Sequence, residues 1–484
     1  MYHIIKVLLG PVLGVLIYLL LMNSTQDHKI AATGGVGIWM AIWWITEAVN
    51  IYFTSLIPIT FLPFLGVVSM KELGPMYMPD IIFFFIGGFL LAFALEKWDI
   101  HKRIALKILL VIGNSPQRLL LGFMLTSYFL SMWILNTAVV MMLLPAAMAV
   151  FKQIQEKDES NDLSTPFLLG IAYAASIGGT ATLIGTAPNL YFMDFFNENM
   201  PQYEPVTFGG WFMVALPASV IFVFSAYWVI QKRYLKSTSA NLFEVEEIKS
   251  QYEELGKINT DQWIVSLVFG VTVVLWFTAK QLDIGSFHFP GWLILFDNPT
   301  YIKESTIAML AAFILVILPS RTQKGNLLDW DAAKKIPLGI IFLFGGGFAL
   351  AKVIGTSGLG LWLGDQLVFL KDFNPILVVI GLAMFMTFFT ELTSNTASTI
   401  LILPILMPVA QNVAIHPMII MMPVVMSASF AFMLPVATPP NTIVYGTEKI
   451  KIKDMIRTGL ILNLMGVAIS LLAVLVWGRF IFDW

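Results

Sequence analysis

The 484-residue chain contains no cysteine, which excludes disulfides, thiolate zinc sites and cysteine-held clusters. Histidine is scarce, and His3, His28, His101, His288 and His416 fall at no metal-binding spacing. Charge is scarce as well. Only 12% of residues are charged, about half the share usual in a soluble domain, while 58% are hydrophobic. With a mean hydropathy of +0.82 the chain cannot cover itself with a water-compatible surface, and a soluble enzyme is excluded. An intramembrane enzyme fares no better, because no nucleophile–base pair and no clustered Asp or His is present. A net charge of −2 and a pI near 6.2 remove any electrostatic case for nucleic acid.

What is present is a series of apolar runs. A helix needs about 20 mostly apolar residues to cross the hydrocarbon core. Runs that qualify lie at 4–22, 31–49, 51–69, 80–97, 210–232, 261–279, 304–320, 336–355 and 459–482. The first is read as a retained helix rather than a signal peptide, since no A-x-A site follows it. Two further stretches, 117–193 and 374–446, are apolar but punctuated. If each forms a re-entrant hairpin and then one crossing, the chain has eleven crossings. Lys and Arg then divide 21 inside against 6 outside, with Lys352 within a helix. This places the N-terminus in the cytoplasm and the C-terminus outside, in a multi-pass protein of the cell membrane. The polar segment 233–260 has Leu242, Val245, Ile248, Tyr252 and Leu255 at helical spacing and reads as an amphipathic interfacial helix or a solvated connector.

The chain repeats itself. Gly87-Gly88-Phe89 matches Gly346-Gly347-Phe348 at an offset of 259. The same offset carries Phe129 to Phe388, Ser131 to Thr390, Asn136-Thr137-Ala138 to Asn395-Thr396-Ala397 and Pro145 to Pro404. Farther on, Thr186-Ala187-Pro188-Asn189 matches Thr438-Pro439-Pro440-Asn441 at an offset of 252. The two Gly-Gly-Phe helices are the fourth and ninth crossings, five steps apart, so they run in opposite directions. The basic run EKWDIHKR follows the first helix, and GTSGLGLWLGD, without Lys or Arg, follows the second. Inverted repeats with broken helices meeting near the midplane mark secondary transporters. The predicted fold is therefore an all-α polytopic membrane protein with about 11 transmembrane helices and two re-entrant hairpins in two inverted repeats.

The hairpin tips, SMWILNTAVVMMLLP (131–145) and TELTSNTASTILILP (390–404), offer Asn and Thr side chains and free backbone amides but no Lys or Arg. A helix N-terminus at membrane depth attracts an anion. The breaks GTAPN (185–189) and ATPPN (437–441) free carbonyls that a membrane tolerates only where they line a cavity or ligate a cation. Two tips and two breaks suit a two-ended anion, a dicarboxylate. Gly-Gly-Phe reads as a helix-packing contact, and Thr182, Ser398 and Thr399 as bonds between neighbouring helices. Among ionisable residues within spans, Glu47 and Lys352 read as structural. Glu391 stays open between a cation or proton site and a buried partner for backbone amides or a Lys. His416 reads as solvated at an outer turn.

At these residues the chain resembles the divalent anion/sodium symporter family of di- and tricarboxylate transporters. The likeness runs over almost the whole chain and is carried by WWITEAV (43–49), FIGGF (85–89), LNTA (135–138), IGGTATLIGTAPN (177–189), FGGGFALAK (344–352), ELTSNTAS (391–398) and FMLPVATPPN (432–441). The resemblance implies a homodimer working by an elevator motion. Its scaffold would comprise 1–107 and 261–356, its transport domain 108–232 and 357–484, with 233–260 as connector. It implies that Asn136, Thr137, Thr186, Ser394, Asn395, Thr396, Thr438 and Pro439 hold the carboxylates. It also implies two sodium sites, one at Ser131, Asn136 and Gly185, the other at Thr390, Thr393, Asn395 and Ala437. No other cofactor is implied. One residue departs from the family pattern: Leu135 stands where the family's first tip has serine, removing a hydroxyl from the first sodium shell. On that residue the reading leans toward exchange of one C4–C5 dicarboxylate (malate, succinate, fumarate or 2-oxoglutarate) for another. Sodium-coupled dicarboxylate symport and transport of sulfate or another inorganic anion are the alternatives.

Overall fold

The computed structural model describes residues 2–112, 115–157, 163–235, 246–280, 282–284 and 287–482. It is helical almost throughout; the exception among these residues is a short antiparallel ribbon pairing Leu282–Ile284 with Phe287–Phe289. Among the described residues seven helices are long and apolar enough to cross a membrane, including His3–Thr25, Phe208–Tyr234 and Gly339–Thr356.

Both punctuated stretches fold as expected from their breakers. Pro116–Ser131 and Asn136–Lys157 form the first hairpin, Pro375–Phe389 and Asn395–Val413 the second. Each is followed by a broken helix, Ser164–Thr180 with Ala187–Asn199 and Pro417–Ala428 with Pro439–Tyr445. Proline in the first turn of both second halves accounts for the breaks, since it lacks an N–H and disfavours helical backbone just before it. At 1.5 Å per residue, the 15 residues of Pro375–Phe389 reach about 22 Å, short of the roughly 30 Å hydrocarbon core.

One expected crossing is different. The run 51–69 is not a single helix but Ile51–Thr54 and Ile57–Phe64, interrupted at Ser55-Leu56 and ended by Gly66 at φ 67°. Pro58, at the start of the second piece, cannot supply the N–H that would carry the helix across. From the connector 233–260, helix Glu246–Glu254 is seen, while Leu242 and Val245 lie outside the described residues.

Asp80–Lys97 lies on Glu304–Ile317, and Gly339–Thr356 lies on His28–Thr46 and Ile57–Phe64. The hairpins and broken helices interlock across the repeats. Pro439–Tyr445 packs against Asn136–Lys157 and Ser164–Thr180 of the first repeat, while Ala187–Asn199 packs against Asn395–Val413 of the second.

The Gly-Gly-Phe motifs serve as helix-packing contacts. A Cβ on Gly87 would meet Ala308 at 2.6 Å and one on Gly346 would run into the Ser55 carbonyl oxygen, so the first glycine of each pair lets backbones touch. The second glycine of each pair faces other helices. Gly88 looks toward Ile184 and Gly347 toward Ile400 and Tyr191.

Candidate functional site

The two hairpin tips and the two breaks open onto one cavity of 630 Å³. Its lining includes Asn136 and Thr137 from the first tip, Gly185 and Thr186 from the first break, Ser394, Asn395 and Thr396 from the second tip, and Ala437, Thr438 and Pro439 from the second break. All eight residues that the sequence nominated for the carboxylates thus share one wall system, although Asn136 and Thr438 are some 300 positions apart in the chain.

Local chemistry explains how each tip is held. Asn136 and Asn395 are the first residues of their helices. Ser131 donates its hydroxyl to Asn136 Oδ1 at 2.5 Å, and Thr390 donates to Asn395 Oδ1 at 2.7 Å, the same bond at the same offset of 259. Ser131 and Thr390 are fully buried behind the lining. Around the first Asn the space is tight: a Cβ on Gly179 would sit 2.9 Å from Asn136 Oδ1 and 3.1 Å from the Gly185 carbonyl oxygen. Hard oxygen atoms of Ser131, Asn136 and Gly185 are therefore gathered in one place, the donor type a sodium ion requires. In the second repeat Thr390, Asn395 and Ala437 occupy the matching positions. Thr393 lines the cavity as well, and its hydroxyl donates to the Phe389 carbonyl at 3.0 Å and is also paired with Ser398.

The breaks are pinned by two asparagines that the motifs contain but that were given no role. Asn189 Nδ2 donates to the carbonyls of Gly179 and Thr182, at 3.2 and 2.7 Å. Asn441 Nδ2 donates to Ala431 and Leu434, at 2.9 and 3.0 Å. Adding 252 converts the first set into the second, so the offset itself was the signal that could have found them. The freed carbonyls find further donors in the protein: Trp211 Nε1 reaches Thr180 at 3.1 Å, and the Tyr173 hydroxyl reaches Phe432 at 2.8 Å. Such partners let unwound backbone persist at membrane depth.

Tip and break are stapled by different means in the two repeats. In the first, the Thr182 hydroxyl donates to the Met132 carbonyl and accepts from Gly185 N. In the second, Glu391, 4% exposed, accepts from Met433 N and Leu434 N at 2.9 Å each and from Asn463 Nδ2 at 2.8 Å. Of the two roles left open for Glu391, the structure places it as a partner of backbone amides. Ser398 and Thr399, expected to bond to a neighbouring helix, bond instead within their own hairpin, through Thr393 and the Asn395 carbonyl, because serine and threonine hydroxyls reach back to local partners.

Leu135 is exposed and lines the cavity at the position equivalent to Ser394, where the repeat puts it. Two further expectations change. Glu47, read as structural, is exposed and also lines the cavity, because a left-handed residue at the end of helix His28–Thr46 turns the chain there. His416 is not simply solvated: its ring is half-buried against Tyr203, 4.7 Å between centroids, because it caps the helix that starts at Pro417. Lys352 is exposed on its helix.

Among the described residues that line the cavity there is no Lys, Arg or His, and Glu47 is the one formally charged side chain. The arrangement presents hydroxyls, amides and helix starts to a ligand but no fixed positive charge.

Comparison with known proteins gives a consistent picture. The family model described as the sodium:sulfate symporter transmembrane region matches residues 2–484. A sodium-dependent dicarboxylate transporter of Staphylococcus saprophyticus is 37% identical over 482 residues, covering 98% of this chain and 91% of the relative. Its counterpart in Staphylococcus aureus is 38% identical over 488 residues, covering 96% and 90%. Two solved structures share the fold at 13% identity. They are MtrF of Neisseria gonorrhoeae, placed in a class of antimetabolite efflux pumps (TM-score 0.61, covering 85% of this chain and 84% of that one), and the YdaH transporter of Alcanivorax borkumensis (TM-score 0.55, covering 85% and 87%).

Proposed function

The chain belongs to the sodium:sulfate symporter family, as a multi-pass membrane transporter and not an enzyme, and from that premise we propose that it carries C4–C5 dicarboxylates across the cell membrane together with sodium ions. Succinate, malate, fumarate and 2-oxoglutarate are the substrates in view. One observation carries the reading: a cavity with paired Asn-Thr tips and no basic side chain in its lining. A dianion leaving water for such a cavity needs its charge neutralised, and helix dipoles supply only about half a charge each. Cations entering with the substrate supply the rest.

The sodium ions would be held by the oxygens of Ser131, Asn136 and Gly185 in the first repeat and of Thr390, Thr393, Asn395 and Ala437 in the second. Asn136, Thr137, Thr186, Ser394, Asn395, Thr396, Thr438 and Pro439 would receive the two carboxylates. This favours the symport alternative over the exchange reading, which rested on Leu135 alone, and the relatives named as sodium-dependent point the same way. Two matched tips suit a two-ended anion better than sulfate. In the same proposal the hairpins and broken helices move as one body against a scaffold of 1–107 and 261–356, the protein is a homodimer, and the N-terminus is cytoplasmic.

Uptake of labelled succinate and 2-oxoglutarate into proteoliposomes tests it. An inward sodium gradient is expected to drive accumulation into empty vesicles, and sodium-free medium to abolish it. Uptake that requires internal dicarboxylate and ignores sodium would overturn the coupling. Leu135→Ser adds a hydroxyl beside Asn136 and is expected to lower the sodium concentration for half-maximal uptake about fivefold, the worth of one modest oxygen contact of about 1 kcal/mol. An unchanged sodium curve would show that the first site is complete without it.

A further inference from the structure

The two ends of the cavity are built from matched residues with one mismatch. Asn136 is matched across the repeats by Asn395, Thr137 by Thr396 and Thr186 by Thr438, and all six line the cavity. Leu135 is matched by Ser394, so an alkyl group stands at one tip where the other has a hydroxyl. Among the described pairs with both members in the lining, this is the one exchange of a polar for an apolar side chain. Leu135 is 39% exposed, so the alkyl group reaches the cavity. It also lines a small apolar gap with Phe85, Phe89, Trp133 and Ile184, and therefore stands between apolar neighbours and the ligand space. A serine hydroxyl donates to a carboxylate oxygen and accepts, through its lone pairs, from a second hydroxyl. Leucine does neither.

Resting on the dicarboxylate reading above, we propose that this mismatch sets which substituted dicarboxylates the cavity takes. A hydroxyl beside the carboxylate at the Ser394 end is accommodated, and one beside the carboxylate at the Leu135 end is not. A hydroxyl on the carbon next to a carboxylate lies on the same edge as one carboxylate oxygen, so a group that touches the one also meets the other. At the second tip Ser394 serves both. At the first tip the hydroxyl gives up water to face an isobutyl group and is left without a partner, a loss of about tenfold in affinity. The other donors do not level the difference, because Asn136, Thr137 and Thr186 have equals at the second end. A molecule with one hydroxyl escapes the loss by turning its substituted end toward Ser394. One with a hydroxyl on both inner carbons cannot. The site therefore takes succinate and malate and discriminates against tartrate.

The experiment is competition of malate and of each stereoisomer of tartrate against labelled succinate uptake in proteoliposomes, at neutral pH and at saturating sodium for each variant. The readout is the ratio of the concentrations for half inhibition. In wild-type protein malate is expected within about threefold of unlabelled succinate, and every tartrate at least about tenfold weaker than malate. Leu135→Ser is expected to bring the best tartrate stereoisomer within about threefold of malate. Leu135→Ala, which removes the alkyl bulk without supplying a hydroxyl, is expected to keep most of the discrimination. Ser394→Ala removes the favoured end and is expected to weaken malate about tenfold relative to succinate, which serves if the Leu135 variants do not fold. Tartrate that competes as well as malate in wild-type protein overturns the proposal alone. So does a tartrate-to-malate ratio unmoved by Leu135→Ser, or equal recovery in the Ala and Ser variants, which would show that bulk excluded the substituent. Wild-type protein that takes up no succinate overturns the dicarboxylate reading and this proposal with it.

Discussion

Asn136→Ala and Asn395→Ala are each expected to abolish sodium-driven dicarboxylate uptake, reducing the initial rate at least about a hundredfold, while leaving a folded and monodisperse protein. The size of the effect follows from the double use of each side chain. Each asparagine lines the cavity, and its Oδ1 is the acceptor for the hydroxyl of Ser131 or Thr390. Alanine removes a donor to a charged ligand, worth about 1.5–3 kcal/mol, and a hard oxygen from the proposed cation shell. About 3 kcal/mol in total corresponds to more than a hundredfold. The fold is expected to survive, because both residues stand at first positions of helices, where alanine is tolerated in the backbone, and the single buried hydroxyl that each change deprives of its Asn acceptor costs only about 1–3 kcal/mol. Initial rates in proteoliposomes, with size-exclusion chromatography of the same preparations, decide the matter. A second readout is thermal: sodium and succinate should raise the wild-type melting temperature and fail to raise that of either variant. Full activity in either variant would sink the site assignment.

Glu391→Ala is expected to have the largest effect on stability, for a reason unconnected with transport. Three donors, the half-buried Met433 N and Leu434 N and the buried Asn463 Nδ2, converge on this carboxylate. A buried donor left without an acceptor costs about 1–3 kcal/mol, so alanine destabilises by several kcal/mol and the protein should be lost or recovered with a strongly lowered melting temperature. Glu391→Gln keeps the shape and one acceptor oxygen, and should fold with intermediate stability. Transport per folded molecule in that variant is expected to keep its sodium dependence. A Gln variant of wild-type stability that loses sodium coupling would return Glu391 to the cation-carrying role that its position beside Thr390 also suggested.

Much of this was readable along the chain because membrane folding turns composition into constraint. Backbone that cannot hydrogen-bond to lipid must be helical unless protein partners satisfy it. Proline and Asn-Thr clusters inside apolar runs therefore announced the hairpins and breaks before any coordinates. The run 51–69 deceived for the complementary reason: its apolar length suggested a crossing, whereas Pro58 and Gly66 cut it into pieces, and one of the cuts exposes the Ser55 carbonyl on which Gly346 packs. Glu391 could be listed as a buried acid from the sequence, but its partners lie 42, 43 and 72 positions away and no local pattern names them.

By itself the sequence determined that this is a helical membrane protein, that it is built twice over, and which residues stand at the tips and breaks. Helix periods, breakers and a constant offset are local or strictly periodic properties, and a linear string preserves them. Only the tertiary structure decided that the four elements open on one cavity, that Asn189 and Asn441 pin the breaks, and that Glu47 rather than any basic residue supplies the one charge on the wall. Those facts depend on which segments of the two repeats interlock, Pro439–Tyr445 against Asn136–Lys157 and Ala187–Asn199 against Asn395–Val413. Packing of small and apolar side chains selects those partners through shape, and shape complementarity between distant segments leaves no periodic trace in the order of residues.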